Sequence, residues 1–202
     1  HIYHCLMEGD RRIRGFWSPS VTKDTFERTV AVNYAEMQAL AKRLKDILDA
    51  GENVHVTAPG GTDVKFSIKG RDAKLDDGNI TVPGTGGNLP AGETYICPVN
   101  GTTEGVICFD GTVDLGTSFP NPKVPVKVTF TNGYVSDVAG DETAEKLLDV
   151  IKLGEAKARE VGSAEMERNA RHLGEMGIGI NYAAKMVGNM LEDEKVGRTV
   201  HF

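Results

Sequence analysis

Apolar residues recur along one face from Tyr34 to Leu48. Tyr34, Met37, Ala41, Leu44 and Leu48 follow the spacing of an amphipathic helix, and Leu40 and Ile47 widen the stripe. Asn33 stands before it as an N-cap and Gly51 after it as a C′ residue, so the pattern predicts a helix over 33–50 that faces a core rather than a cofactor. Upstream, residues 1–15 read as a strand entering the basic loop Arg11-Arg-Ile-Arg14, with His1 and His4 as structural histidines. Thr22 caps a short helix from Lys23 to Arg28.

From residue 53 the period changes to two. Val54 and Val56 alternate with the polar His55, and Val64, Phe66 and Ile68 share one face across the turn Gly60-Gly-Thr-Asp63, which predicts a hairpin with His55 at the surface. Residues 72–87 are polar and Gly-rich, with a short strand at Ile80 to Val82. Gly84-Thr-Gly-Gly87 lacks the Lys-Ser/Thr and the helix that a phosphate loop needs. Strands follow at Tyr95 to Pro98, Gly105 to Phe109, Val124 to Phe130 and Tyr134 to Val138, jointed at Asn100-Gly101, Asp110-Gly111 and Asn132-Gly133, which are strong hairpin signals. Asp141 opens a helix with Ala144, Leu147, Leu148 and Ile151 inward. Leu173 to Ile180 reads as a buried strand, Ala183 to Leu191 as a short helix, and Val196 to Phe202 as extended. The fold class predicted is α+β: a mostly antiparallel, barrel-like β unit flanked by helices.

The 202 residues suit one domain or one and a half; 40% hydrophobic and 26% charged residues mark a globular chain. A net charge of −6 without a basic block argues against nucleic acid, and no apolar run has the ~20 residues of a membrane span. Three cysteines in no zinc-like spacing, with no secretory leader in view, predict reduced thiols and a cytoplasmic protein.

Three polar residues stand out. Glu93 closes the stiff turn Asn88-Leu-Pro-Ala-Gly-Glu93, fixed by Pro90 and Gly92. Glu175 lies among apolar residues, where a carboxylate needs a metal ion or an arginine; Arg168 and Arg171 are near in sequence. His201 ends the last extended run. Two carboxylates and an imidazole suit a divalent ion such as zinc, cobalt or manganese. A solvated turn glutamate at 93 and a salt bridge at 175 are the bland alternatives. Glu104 follows a hairpin turn and is a candidate to face the same loop side as Glu93, and Asp193 and Glu194 are either solvated or partners of a ligand.

The runs Gly61-Thr-Asp-Val-Lys-Phe-Ser-Ile-Lys-Gly-Arg71, Asn88 to Glu93, Glu104-Gly-Val, His172-Leu-Gly-Glu175 with Gly177-Ile-Gly-Ile-Asn181, and Asp193-Glu-Lys195 leading to His201 resemble the leucyl aminopeptidase family typified by aminopeptidases T and S. That resemblance implies that Glu93, Glu175 and His201 are metal ligands and that the complete protein is a homodimer. It implies two divalent ions, a metal-activated water and removal of N-terminal residues from a peptide substrate. It divides the chain into residues 1–50, the end of an α/β portion with a linker helix, and 51–202, a metallopeptidase-like catalytic domain. The family's further ligands, a His-x-Asp pair and a tyrosine, would lie downstream of Phe202, so the resemblance implies an inactive fragment. The competing class is a non-catalytic β-rich domain for assembly or peptide binding, in which the three side chains do not converge.

Overall fold

The structure, a computed structural model, describes residues 13–202. The strand expected over the first residues, with His1, His4 and Cys5, lies outside the described residues. In chain order the elements are β1 (Gly15–Trp17), α1 (Lys23–Thr29), α2 (Tyr34–Ala50), β2 (Asn53–Thr57), β3 (Asp63–Ser67), β4 (Lys74–Asp76), β5 (Gly86–Asn88), β6 (Glu93–Ile96), β7 (Glu104–Phe109), β8 (Val126–Thr131), β9 (Tyr134–Ala139), α3 (Glu142–Val161), α4 (Ala164–Asn169), β10 (Met176–Gly179), α5 (Met190–Asp193) and β11 (Val200–His201). The α+β class holds. The barrel does not: the described strands form sheets of two, four and five strands, with no closed barrel.

The chain divides into two compact units. One gathers the described residues up to Ala50 with Asp72–Ile96 and Gly177–His201. Its four-stranded sheet runs β11-β10-β6-β4, and β1 pairs with β5 in parallel, Phe16 opposite Gly87. The predicted helix stripe is its core: Met37 and Ala41 of α2 pack with Ala91 and Ile180, flanked by Tyr34, Leu40, Leu44 and Ile178. Local signals set the helix starts. Thr22 accepts from the Thr25 amide at 3.1 Å, and Asn33 from the Glu36 amide at 3.3 Å.

The turn at 88–93 is held by close backbone approach. Gly92 has φ 133°, and a Cβ there would lie 2.6 Å from Cβ of Asn181. Asn181, fully buried, donates from Nδ2 to the carbonyls of Ala91 at 2.9 Å and Thr29 at 3.0 Å. The peptide bond between Leu89 and Pro90 is cis.

The other unit gathers Gly51–Arg71 and Cys97–Met176 with Phe202. Its five-stranded antiparallel sheet runs β2-β3-β7-β8-β9. The alternation read from the sequence is its inner face: Val64, Phe66, Ile107, Val126, Val128 and Phe130 are buried. Asp141 caps α3 through the Thr143 amide at 2.9 Å. Arg171 is committed to Glu155, at 2.6 and 3.1 Å.

Several local expectations are corrected. Ile80 to Val82 is not a strand; the strands of that region are β4 and β5, too short to show a period. Residues 183–189 form turns rather than a helix, because the Asp193 carboxylate captures the amides of Val187 and Gly188, at 2.7 and 3.0 Å, and Asn189 caps the short α5 instead. The strand near Glu175 begins only at Met176, leaving the glutamate just outside it.

Candidate metal centre

Glu93 is the first residue of β6 and is 5% exposed. Sheet pairing sets it opposite Asp76, the last residue of β4. His201 ends the chain's final strand, where its backbone pairs with Gly177 of β10. The imidazole lies directly on that glycine: a Cβ at Gly177 would sit 2.0 Å from His201 Nε2. Strand pairing and a missing side chain together bring His201 Nε2 to 2.9 Å from Glu93 Oε2.

Glu175 is two residues ahead of Gly177, so the chain itself delivers its carboxylate to the start of β10. Glu93 and His201 thus set a carboxylate oxygen and an imidazole nitrogen side by side within one unit. Imidazole nitrogen and carboxylate oxygen are the donors that borderline divalent metals take, so the donor set fits a metal ion.

The second carboxylate oxygen of Glu93 meets a residue to which sequence reasoning gave no role. Lys195 is fully buried, and its Nζ lies 2.6 Å from Glu93 Oε1, 2.9 Å from Asp76 Oδ2 and 2.7 Å from Glu194 Oε1. The backbone fixes it there: the Asn181 amide donates to the Lys195 carbonyl at 2.8 Å, and the Lys195 amide to the Glu192 carbonyl at 3.0 Å. Burial opposes the ammonium, but the charges of Asp76, Glu93 and Glu194 outweigh it and raise its pKa above the ordinary lysine value. Burial raises Asp76 and Glu194. Burial also acts to raise Glu93, yet His201 and Lys195 prevail and hold it below the usual range.

Three carboxylates face one ammonium, so negative charge exceeds positive in a buried place.

The acidic run Glu192-Asp-Glu194 is not a solvated loop. Glu192 is fully buried against Arg28 Nη1, at 2.5 Å, and Thr25 Oγ1, at 2.7 Å. Glu104 has a turn role, accepting from the Asn132 amide at 2.6 Å. His55 is at the surface as expected, paired with Asp63 at 2.8 Å. Gly86 and Gly87 are strand residues, not a phosphate loop. Asp76 and Lys195 were missed because nothing local marks them; only the sheet register and the fold of residues 181–195 join them to Glu93.

The sequence profile of the family described as NicX: 2,5-dihydroxypyridine 5,6-dioxygenase matches residues 20–200. Among solved structures, 2,5-dihydroxypyridine dioxygenase from Pseudomonas putida KT2440 is similar, with TM-score 0.66 and 18% identity, over 87% of this chain and 47% of that one. Wild-type AmpT from Thermus thermophilus is similar with TM-score 0.59 and 19% identity, over 82% of this chain and 41% of that one. The chain thus spans less than half the length of either structure. At these identities the likeness is one of fold. No curated protein matches the chain. Among the described residues, no helix is long and apolar enough to cross a membrane.

Proposed function

The chain belongs to the family described as NicX, 2,5-dihydroxypyridine 5,6-dioxygenase, and from that premise we propose that it carries the metal centre of a dioxygenase that opens a hydroxylated pyridine ring. This corrects the aminopeptidase reading. The family match over residues 20–200 overturns hydrolysis of peptides, while the likeness to AmpT retains only the fold part of that resemblance. The observation that carries the proposal is the buried Glu93 carboxylate held 2.9 Å from the His201 imidazole; Glu175 joins them as a proposed third ligand.

The change of reaction changes the ion. Zinc has no redox chemistry. Iron(II) takes imidazole and carboxylate donors, and when bound it supplies the electron transfer that activates dioxygen toward an organic ring. Non-haem iron oxygenases commonly use two histidines and one carboxylate; Glu93 and His201 supply one of each donor type.

The chain's own residues do the holding. Glu93 is fixed at both oxygens, by Lys195 on Oε1 and by His201 beside Oε2. His201 is aimed by the β10–β11 pairing and seated on Gly177. Such placement from paired strands keeps a ligand set in geometry before the ion arrives.

The test is oxygen consumption. The protein, loaded with iron(II) without oxygen and then given 2,5-dihydroxypyridine and dissolved oxygen, is expected to consume one dioxygen per pyridine lost. Glu175→Ala and His201→Ala are expected to abolish uptake. Iron-loaded protein that leaves the pyridine untouched would overturn the proposal.

A further inference from the structure

The carboxylates of Asp76, Glu93 and Glu194 come from β4, from β6 and from the residue after α5, and they converge on one atom, Lys195 Nζ. Convergence of acidic groups from separate elements is how proteins hold a divalent ion. Here the point of convergence is filled by a side chain. An ammonium has three donors and no acceptor. Each of the three carboxylates lies within 2.9 Å of it as an ion pair, the Glu93 oxygen accepts a hydrogen bond from it, and the side chain is 0% exposed.

A surface salt bridge has none of these features: it is solvated, exchanges partners and pairs one charge with one. Lys195 differs also in what its neighbours do. Glu93 gives Oε1 to the lysine and turns Oε2 toward His201. Asp76 Oδ1 accepts from the Asn88 amide at 3.0 Å, which anchors the turn leading to Glu93. The lysine therefore lies beside the ligand group, sharing its central carboxylate.

We propose that Lys195 is a tethered cation standing where a second metal ion would otherwise bind, so that the centre holds a single divalent ion and Glu93 keeps one oxygen for it. The inference rests on the reading that Glu93 and His201 hold metal. Lys195 is a positioning residue; it acts through Glu93. A lysine ammonium cannot be exchanged or chelated away, so the count of ions is built into the chain.

The experiment is equilibrium binding of manganese(II), a stand-in that resists oxidation in the assay, to the wild type, Lys195→Met, Lys195→Arg and Lys195→Met/Asp76→Asn. Bound metal is counted directly and thermal melting is followed alongside. The expected result is one equivalent in the wild type and two in Lys195→Met, whose melting temperature rises on adding manganese. Lys195→Arg keeps one equivalent at roughly tenfold lower affinity, since guanidinium geometry shifts Glu93. The double variant returns to one.

A lysine that only supports the fold would lower the melting temperature of Lys195→Met without adding an equivalent, and that outcome overturns the inference. Two equivalents in the wild type overturn it as well, even if Lys195→Met fails to fold. A wild type that binds none, beside a Lys195→Met that gains one, would sink the metal reading of Glu93 and His201 and uphold the role of Lys195. No binding by either protein would sink both.

Discussion

Lys195 Nζ and Glu93 Oε1 lie 2.6 Å apart with the lysine side chain wholly out of solvent. A buried charge is costly unless it is paired and fully hydrogen-bonded. This one is paired three times over, and the carboxylate it holds is the residue that the family resemblance had marked as a ligand. The pairing holds the glutamate at the mouth of its strand in one position, as the proposed metal donor requires.

Removing a donor from the group should show in affinity before it shows in stability. Glu175→Ala is expected to weaken iron(II) binding by more than the roughly 10–100-fold typical of losing an outer partner of a metal ligand. Anaerobic calorimetry reads this directly, and an unchanged dissociation constant would remove Glu175 from the site.

Gly177 is the seat of the imidazole. A Cβ there meets His201 Nε2 at 2.0 Å. Gly177→Ala is expected to displace His201, lowering metal affinity roughly tenfold or more while strand content by circular dichroism is kept. Retained affinity would mean that the imidazole has another position available.

Asn181 ties the turn before Glu93 to the end of α1. Asn181→Ala removes the donor to two buried carbonyls and is expected to cost about 2–4 kcal/mol. For a chain of this size that corresponds to roughly 2–4 °C of melting temperature per kcal/mol. A loss under about 0.5 kcal/mol would contradict its role as a fastener.

Acid should undo the anchoring of α1. Burial acts to raise the pKa of Glu192, but hydrogen bonds from Arg28, Thr25 and the Lys185 amide outweigh it and hold the pKa below its ordinary value. A depressed carboxylate contributes stability that is fully present above its unfolded pKa, near 4.3, and that fades as pH falls through the folded value. Denaturant midpoints are expected to fall on going from pH 6 to below 4, and Glu192→Gln is expected to flatten that slope. Equal slopes in the two proteins would refute it.

What the sequence made legible was local. The α2 stripe, the β2–β3 alternation, the Asn132-Gly133 joint and the caps at Thr22, Asn33 and Asp141 are written in neighbouring residues, and each appears where the pattern placed it. The parallel pair β1–β5 joins Phe16 to Gly87, seventy-one positions apart, and its strands are three residues long, so no periodicity could reveal it. Residues 183–189 kept helical spacing but lost the contest to the Asp193 carboxylate. Glu93, Glu175 and His201 came to notice as polar residues in stiff or apolar settings, and sheet pairing sets Glu93 and His201 side by side. Asp76 and Lys195 had no such mark. A lysine in an acidic run reads as solvated, and only the fold buries it. The reaction itself was misread, because two-metal hydrolysis and oxygenation can be hosted on similar backbones and are told apart by the sequence family.

The most direct test of the account is to locate the metal. Crystals of the iron(II)-loaded protein, grown without oxygen and measured at the iron absorption edge, are expected to show one anomalous peak about 2.0–2.3 Å from a carboxylate oxygen of Glu93, one of Glu175 and a ring nitrogen of His201. No peak beside these residues, or a peak bound by other side chains, would contradict it.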